Sequence, residues 1–410
     1  MKVVDASSGV LDLDLDAPLP RVTGSSGDVR CLLRRGSVPV GVVDLFVPVR
    51  GLDPDALAAV VEPDRWTATD RAPVDPDARG LTVAIATRDR PDALRRALAS
   101  VLASAAPPAR VVVVDNAPSD EATAALVAEL HGDDPRVVYV REDRPGLARA
   151  HNAALPHVDT PHVAFTDDDV LVDPWWTARI EAAFAAADDV ACVTGLIFPA
   201  ELRTPEQWWI ERAAGFAKGF ERRIVDPAVE AQRDRLFPYA AGTYGSGANM
   251  AFTTDALRRL GGFDDALGAG SGSLGGDDLA AIHAVLAAGH RLVYEPAAIV
   301  FHHHHRDYEA LRRQVYGYGA GLTAYLTSLV VARPATALDM ASRAARGARH
   351  ALAPSSPRNS RRPDTHRELA RVERAGMLSG PWRYVRTRHR LSRRPAPGRL
   401  AQSRPAGAAR

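Results

Sequence analysis

Phe165-Thr166-Asp167-Asp168-Asp169 is the segment from which the architecture of the chain can be worked out. It closes an apolar run at residues 162–165, and three runs of the same kind precede it at 81–86, 110–114 and 137–140. Short, β-branched and continuously apolar, these runs read as strands buried on both faces. Between them the spacing changes. Residues 92–104 carry Leu94, Leu98, Val101 and Leu102 on one helical face, with Pro91 at the start, where a helix tolerates it. Residues 119–130 and 146–155 also read as helices. Strand and helix alternating over short connections predict right-handed βαβ units, so the expected class is α/β with a doubly wound, mostly parallel sheet.

In such sheets ligands sit beyond the carboxyl ends of the strands. Those ends hold Thr87-Arg88-Asp89, Asp115-Asn116, Arg141-Glu142-Asp143 and Asp167-Asp168-Asp169. A turn explains one such carboxylate; four acidic strand ends facing one crevice ask for more. Three adjacent carboxylates raise one another's pKa and cost stability unless a cation joins them. Oxygen ligands suit Mg2+ or Mn2+. On an extended segment Asp167 and Asp169 share a face and Asp168 turns the other way, toward a sugar or ribose. The chain has no Gly-Lys-Ser/Thr phosphate loop, and Thr87-Arg88-Asp89-Arg90-Pro91 stands where a Gly-x-Gly-x-x-Gly would follow the first strand. A mononucleotide held through a metal therefore fits better than a redox dinucleotide.

The ordered set of motifs resembles family 2 glycosyltransferases of the GT-A fold, over roughly residues 80–320. It comprises residues 84–91, Val113-Val114-Asp115-Asn116-Ala117, Gly146-Leu147-Ala148-Arg149-Ala150-His151-Asn152 and Phe165 to Asp169. Then come Gly245-Ser246-Gly247-Ala248-Asn249-Met250, Gly261-Gly262-Phe263-Asp264, Gly275-Gly276-Asp277-Asp278-Leu279 and Phe301-His302-His303-His304. The resemblance implies an inverting transfer from a nucleoside-diphosphate sugar, UDP-linked by preference, to a hydroxyl acceptor. It implies that Thr87, Arg88 and Asp89 line the base and ribose pocket and that Asp115 bonds the base. Arg149 and Asn152 would lie near base and diphosphate, and Asn249 among the donor contacts. Asp167 and Asp169 would hold Mn2+ or Mg2+ with His302 or His303. Asp278 would be the general base beside Asp277, where the family more often has Glu.

Outside that core the signals are compositional. Charged residues are 25% and hydrophobic residues 46%, the balance of a globular chain. The net charge of +1 conceals a division: residues 331–410 hold 19 arginines, no lysine and four acids, so the remainder is acidic. Such a tail meets anionic surfaces, and a peripheral contact with an anionic membrane is the expectation; no nucleic-acid motif is present. Cys31 and Cys192 are too few for a disulfide framework, and residues 1–10 lack a signal-peptide pattern. A cytoplasmic protein, with a peripheral position at the inner face of the membrane, is expected. No apolar run approaches the ~18–20 residues of a membrane span.

Three regions are expected: a small β-rich N-terminal module and linker (1–79), the GT-A domain (80–330) and an Arg-rich helical or disordered extension (331–410). Within the first, residues 29–33 and 38–47 read as strands around a turn at Gly36-Ser37. Residues 268–276 read as a glycine-rich lid, Trp175 as a residue able to lean over a sugar, and 307–331 as a long helix. Residues 368–374 and 382–390 read as two short helices, and the last ~15 residues as disordered. Two other functions use similar parts. A sugar nucleotidyltransferase would need a basic glycine-rich loop after the first strand, which Arg88 and Arg90 match only faintly. A non-catalytic nucleotide-sugar-binding protein would have no use for Asp278.

Overall fold

The computed structural model describes residues 2–24, 26–67, 74–75, 77–351 and 367–393. Part of the expected linker at 71–79, the segment 352–366 and the last residues lie outside that set. The chain opens with β1 (Val3–Asp5), β2 (Val10–Asp14), β3 (Arg21–Thr23), β4 (Gly27–Arg35), β5 (Val38–Val47) and α1 (Pro54–Val61). β4 and β5 form the expected antiparallel pair, with Gly36 at φ 59° in the turn, and β2 adds in parallel to β4. Alternation explains why β4 is buried on both sides. Cys31 and Leu33 face the module's own core with Leu11, Leu45 and Leu57, while Leu32 packs on Leu196, Phe198 and Ile299 of the main body.

The main body contains β6 (Leu81–Thr87), α2 (Pro91–Leu102), β7 (Arg110–Asn116), α3 (Ala122–His131), β8 (Val137–Glu142), α4 (Leu147–Ala154), β9 (His162–Asp167) and β10 (Val170–Val172). It continues with α5 (Trp176–Phe184), β11 (Val190–Pro199), α6 (Pro205–Ala214), β12 (Arg223–Val225), α7 (Pro227–Arg233), β13 (Met250–Thr253), α8 (Thr254–Arg259), α9 (Asp277–Ala287) and β14 (Arg291–His302). The sheet order is β10-β14-β11-β13-β9-β6-β7-β8, with β12 also paired to β14. β8, β7, β6 and β9 are mutually parallel, as the alternation predicts; β13 runs antiparallel between β9 and β11. Period two divides the core. Val83, Ile85, Val111 and Val113 pack on α2, α3 and α5, whereas Ala84, Ala86, Val112 and Val114 pack toward α4 and α9.

Three helices follow: α10 (Tyr308–Ala332), α11 (Thr336–Ala351) and α12 (Arg367–Ser392). Among the described residues α10 alone is long and apolar enough, by length and composition, to cross a membrane, although Thr323, Thr327 and Ser328 interrupt its apolar run. Part of that stretch is buried, with Ala320, Ala324 and Tyr325 against the body and α12. α12 replaces the two short helices expected there, and Pro381 lies inside it. Proline offers no N–H to the carbonyl four residues earlier. That carbonyl, on Met377, instead accepts the Thr323 hydroxyl of α10 at 2.8 Å. Gly376 lies directly against the Tyr316 carbonyl, so the two helices touch backbone to backbone.

Candidate active site

Register brings the acidic strand ends together. Asp167 pairs with Ala86, Thr87 with Asp115, and Asp115 with Arg141 across neighbouring strands. At the edge of this row Asp167, Asp169 and His302 bring ligand atoms within 4.8 Å of one another. His302 Nε2 is 3.4 Å from Asp169 Oδ1, a buried oxygen that makes no hydrogen bond within the protein. His302 ends β14, whose antiparallel pairing with β10 sets it opposite Val170, next to the triplet.

The two carboxylates do not carry their charges equally. Burial, then the charge on Asp169, pushes Asp167 up to about 7. Burial works the same way on Asp169 but is outweighed by the pull of His302 and of Arg90, which hold it well below the usual carboxylate range. Two acids this close resist a double negative charge, so one yields it. An orphaned buried oxygen and a mixed carboxylate–imidazole donor set suit a divalent ion, Mn2+ more than Mg2+.

The second acidic group opens α9. Asp278 Oδ2 accepts the Gly247 N–H at 2.9 Å and Oδ1 accepts that of Leu279 at 2.8 Å. Burial, then Asp277, raises its pKa to about 6 despite those bonds. Asp277 is buried, and its Oδ2 lies 3.5 Å from His151 Nδ1. The His151 ring is wedged between Phe165 and Phe263 at centroid distances of 4.8 and 4.7 Å.

One turn ties the two groups. Gly247 N–H binds Asp278, and the Ala248 carbonyl accepts the hydroxyl of Thr166, the residue before Asp167, at 3.0 Å. From α10, Tyr318 faces both. Crowding in the cleft, then the charges of Asp278, Asp167 and Asp169, push its hydroxyl pKa up, although 43% of the residue is open to solvent.

The model of the family described as Glycosyltransferase like family 2 matches residues 76–316. The chain belongs to that family. Pre-mycofactocin glycosyltransferases from two strains of Mycobacterium tuberculosis, CDC 1551 / Oshkosh and ATCC 25618 / H37Rv, are each 26% identical to it over 305 residues, covering 71% of this chain. The match spans 59% of the length of those relatives. Among solved structures, the mannosyltransferase PcManGT from Pyrobaculum calidifontis, in complex with GDP-Man and Mn2+, is 22% identical. It covers 76% of this chain and 89% of its own, with a TM-score of 0.47. GalNAc-T7 with UDP, GalNAc and Mn2+ is 15% identical, covering 63% and 52%, with a TM-score of 0.43. The sheet described above is the α/β arrangement expected from the alternation of strands and helices, with β8, β7, β6 and β9 as its parallel part.

Not every residue expected to contact ligand is free to do so. Asp168 is 5% exposed and accepts the Thr87 hydroxyl at 2.8 Å and Arg90 at 3.1 Å, so both Asp168 and Thr87 are turned inward rather than toward a sugar. Asn152 gives its amide to the Phe263 backbone, accepting from N–H and donating to C=O at 2.8 Å each. Asn249 donates to the Leu196 and Ala298 carbonyls at 3.0 and 2.8 Å and accepts from the Trp176 indole, joining β11 to β14. These side chains build the site instead of lining it. His303 is not part of the cluster, and of the two histidines expected there only His302 brings a ring nitrogen to the acidic pair.

Arg88 is exposed beside Asp89, 3.6 Å away, and Asp89 accepts the Ser119 N–H and hydroxyl, fixing the loop before α3. Asp115 is fully buried, with Oδ2 bonded to the Tyr139 hydroxyl at 2.9 Å and Oδ1 without a protein donor. Arg149 is buried with its Nε 3.6 Å from Asp265 and unbonded. Trp175 is half-buried at the start of α5 while Trp176 is core, and residues 268–276 are bonded to the body in this structure. The Ala269 carbonyl accepts Leu147 N–H, Gly268 donates to Gly275, and the Gly272 carbonyl accepts Arg383 of α12. The contacts of Arg90 with Asp168 and Asp169, of His151 with Asp277 and of Tyr318 with both acidic groups are not readable from chain neighbours.

Proposed function

We propose that this chain is an inverting, metal-dependent glycosyltransferase that moves a sugar from a nucleoside diphosphate to a hydroxyl acceptor. One observation supports the reading above others: the Asp167/Asp169/His302 group and the Asp278 carboxylate are tied to one turn at Gly247-Ala248, and the Tyr318 hydroxyl feels the charges of Asp167, Asp169 and Asp278. Asp167, Asp169 and His302 would hold Mn2+ or Mg2+, which when bound neutralises charge on the departing diphosphate. Asp278 takes the acceptor hydroxyl proton as its oxygen bonds to the anomeric carbon and the bond from that carbon to the diphosphate oxygen breaks. Attack from the face opposite the leaving group inverts the carbon. A carboxylate with a pKa of about 6 is ionised at neutral pH yet basic enough to accept that proton. Asp277, set against His151, positions the start of α9. The unbonded Oδ1 of Asp115 suits an imide N–H, which favours a uracil-type base and a UDP-sugar.

The test is donor turnover without acceptor. The chain with Mn2+ should release nucleoside diphosphate slowly from a UDP-sugar, and Asp278→Asn should bind donor without releasing it. Release of pyrophosphate would mean nucleotidyl transfer instead, and binding without any turnover a sensor.

The exposed face of α12 supports a peripheral contact with an anionic bilayer at the cytoplasmic side. Leu378, Trp382 and Val385, at 85, 61 and 51% exposure, recur at helical spacing among Arg386, Arg390 and Arg393, with no acid after Glu373. Vesicles rich in phosphatidylserine should sediment with the protein, and Trp382→Glu should weaken that several-fold; equal binding to neutral vesicles would refute the contact.

A further inference from the structure

A line of polar side chains leads from the acidic site to the N-terminal sheet. His302 Nδ1 lies 3.1 Å from His304 Nδ1, and His304 Nε2 lies 3.2 Å from Glu211 Oε2. Glu211 Oε1 accepts Arg30 Nη1 at 2.9 Å. Arg30 belongs to β4 and grips Asp44 of β5 through Nε and Nη2 at 2.8 and 2.9 Å. The line thus begins at an expected metal ligand, passes through α6 and ends in the N-terminal sheet. His304 and Glu211 are almost fully buried. Gln207, one turn before Glu211 on α6, holds the His304 backbone carbonyl at 3.0 Å, and Phe216 stacks on the His304 ring.

Donor and acceptor matching gives the line a direction. An imidazole that binds a cation through Nε2 keeps its lone pair there and its proton on Nδ1. That Nδ1–H needs an acceptor, and the atom facing it is His304 Nδ1. His304 must then carry its proton on Nε2 and donate it to Glu211. A carboxylate only accepts, so Glu211 fixes the orientation of every proton before it. The opposite arrangement would place a proton on His302 Nε2, in the space between it and Asp169. Arg30 holds Glu211 in place through its bond to Oε1.

We infer that Glu211, acting through His304 and anchored by Arg30, is a positioning residue that keeps the Nε2 lone pair of His302 directed at the metal position. This rests on reading Asp167, Asp169 and His302 as the metal centre. The N-terminal sheet thereby gains a role in the site, because it supplies the cation that terminates the line.

The experiment measures Mn2+ affinity of the full chain without donor, by electron paramagnetic resonance of the free ion, alongside melting temperature without metal. Glu211→Gln keeps the shape but offers an N–H to His304, permitting the wrong orientation. It should weaken Mn2+ binding by about 10–100-fold, the usual effect of losing such a partner. Arg30→Gln, altered nearer the surface, should weaken it in the same direction and serves if the first variant does not fold. Asp169→Asn is the control. If Asp169→Asn loses Mn2+ while Glu211→Gln and Arg30→Gln melt lower but bind it as the parent does, the line is only structural and the inference fails. If the parent itself binds no Mn2+, the metal centre is wrong and the inference falls with it.

Discussion

The two acidic groups of the cleft are held by opposite means. Asp278 stands in the first turn of α9, with one carboxylate oxygen on the Leu279 N–H of that turn and the other on the Gly247 N–H of a separate turn. Asp167 and Asp169 stand at the end of β9, where no amide cap reaches them; Arg90 and His302 contact Asp169, and Asp167 is left crowded by its neighbour's charge. A base must be reproducible in position and free to gain and lose a proton, and a backbone cradle gives that. A metal site must be uncomfortable when empty, so that a cation relieves it. The same residue type thus serves two purposes through its neighbours alone.

The largest way to break this contrast is at Asp278. Replacing it with Asn should cut transfer by about 10²–10⁴-fold, the share of a positioned general base. The lost accepted bond, worth about 1 kcal/mol, is opposed by removal of a buried charge, so thermal unfolding should shift little. A variant that turned over normally would remove Asp278 from the chemistry. Next comes the strand end. Saturating Mn2+ should stabilise the parent by about 2.7 kcal/mol at a hundredfold excess over its dissociation constant. Asp167→Asn should instead raise metal-free stability, by about 1 kcal/mol, while weakening that response. Asp278→Asn should move metal-free stability less than Asp167→Asn does, because two accepted backbone bonds offset part of the burial that raises Asp278, whereas no such bond relieves Asp167.

The smallest effect is in pH. Asp278 has its folded pKa raised from an ordinary 3.8 to about 6. Its stabilising contribution is full below about 4 and is lost as pH rises through 6, while the ionised base accumulates. Transfer measured as kcat/KM should therefore climb about tenfold per pH unit below 6 and level off above it, as stability declines slightly. An activity already level at pH 5 would contradict the raised value.

Much of this is legible in the sequence because it is local. Continuous burial in residues 81–86 and 110–114, the helical spacing after Pro91, and the strand-end position of Asp167 to Asp169 are statements about neighbours in the chain. The helix beginning at Asp277 is readable for the same reason. What escapes depends on distant partners. Asn152 and Asn249 look like ligand residues until Phe263, Leu196 and Ala298 are seen to occupy their amides. Glu211 and Arg30 lie 181 positions apart, and nothing near either hints at the other. Pro381 reads as a break because its compensation, Thr323, comes from another helix.

That helix contact reaches further than its location suggests. A single methyl added at Gly376 would collide with the Tyr316 carbonyl oxygen, and α12 would have to lift away. Arg383 would then release the Gly272 carbonyl, and the loop leading into Asp278 would lose its outer brace. An inherited glycine-to-alanine change far along the chain, remote from sugar and metal alike, would thereby present as a catalytic lesion.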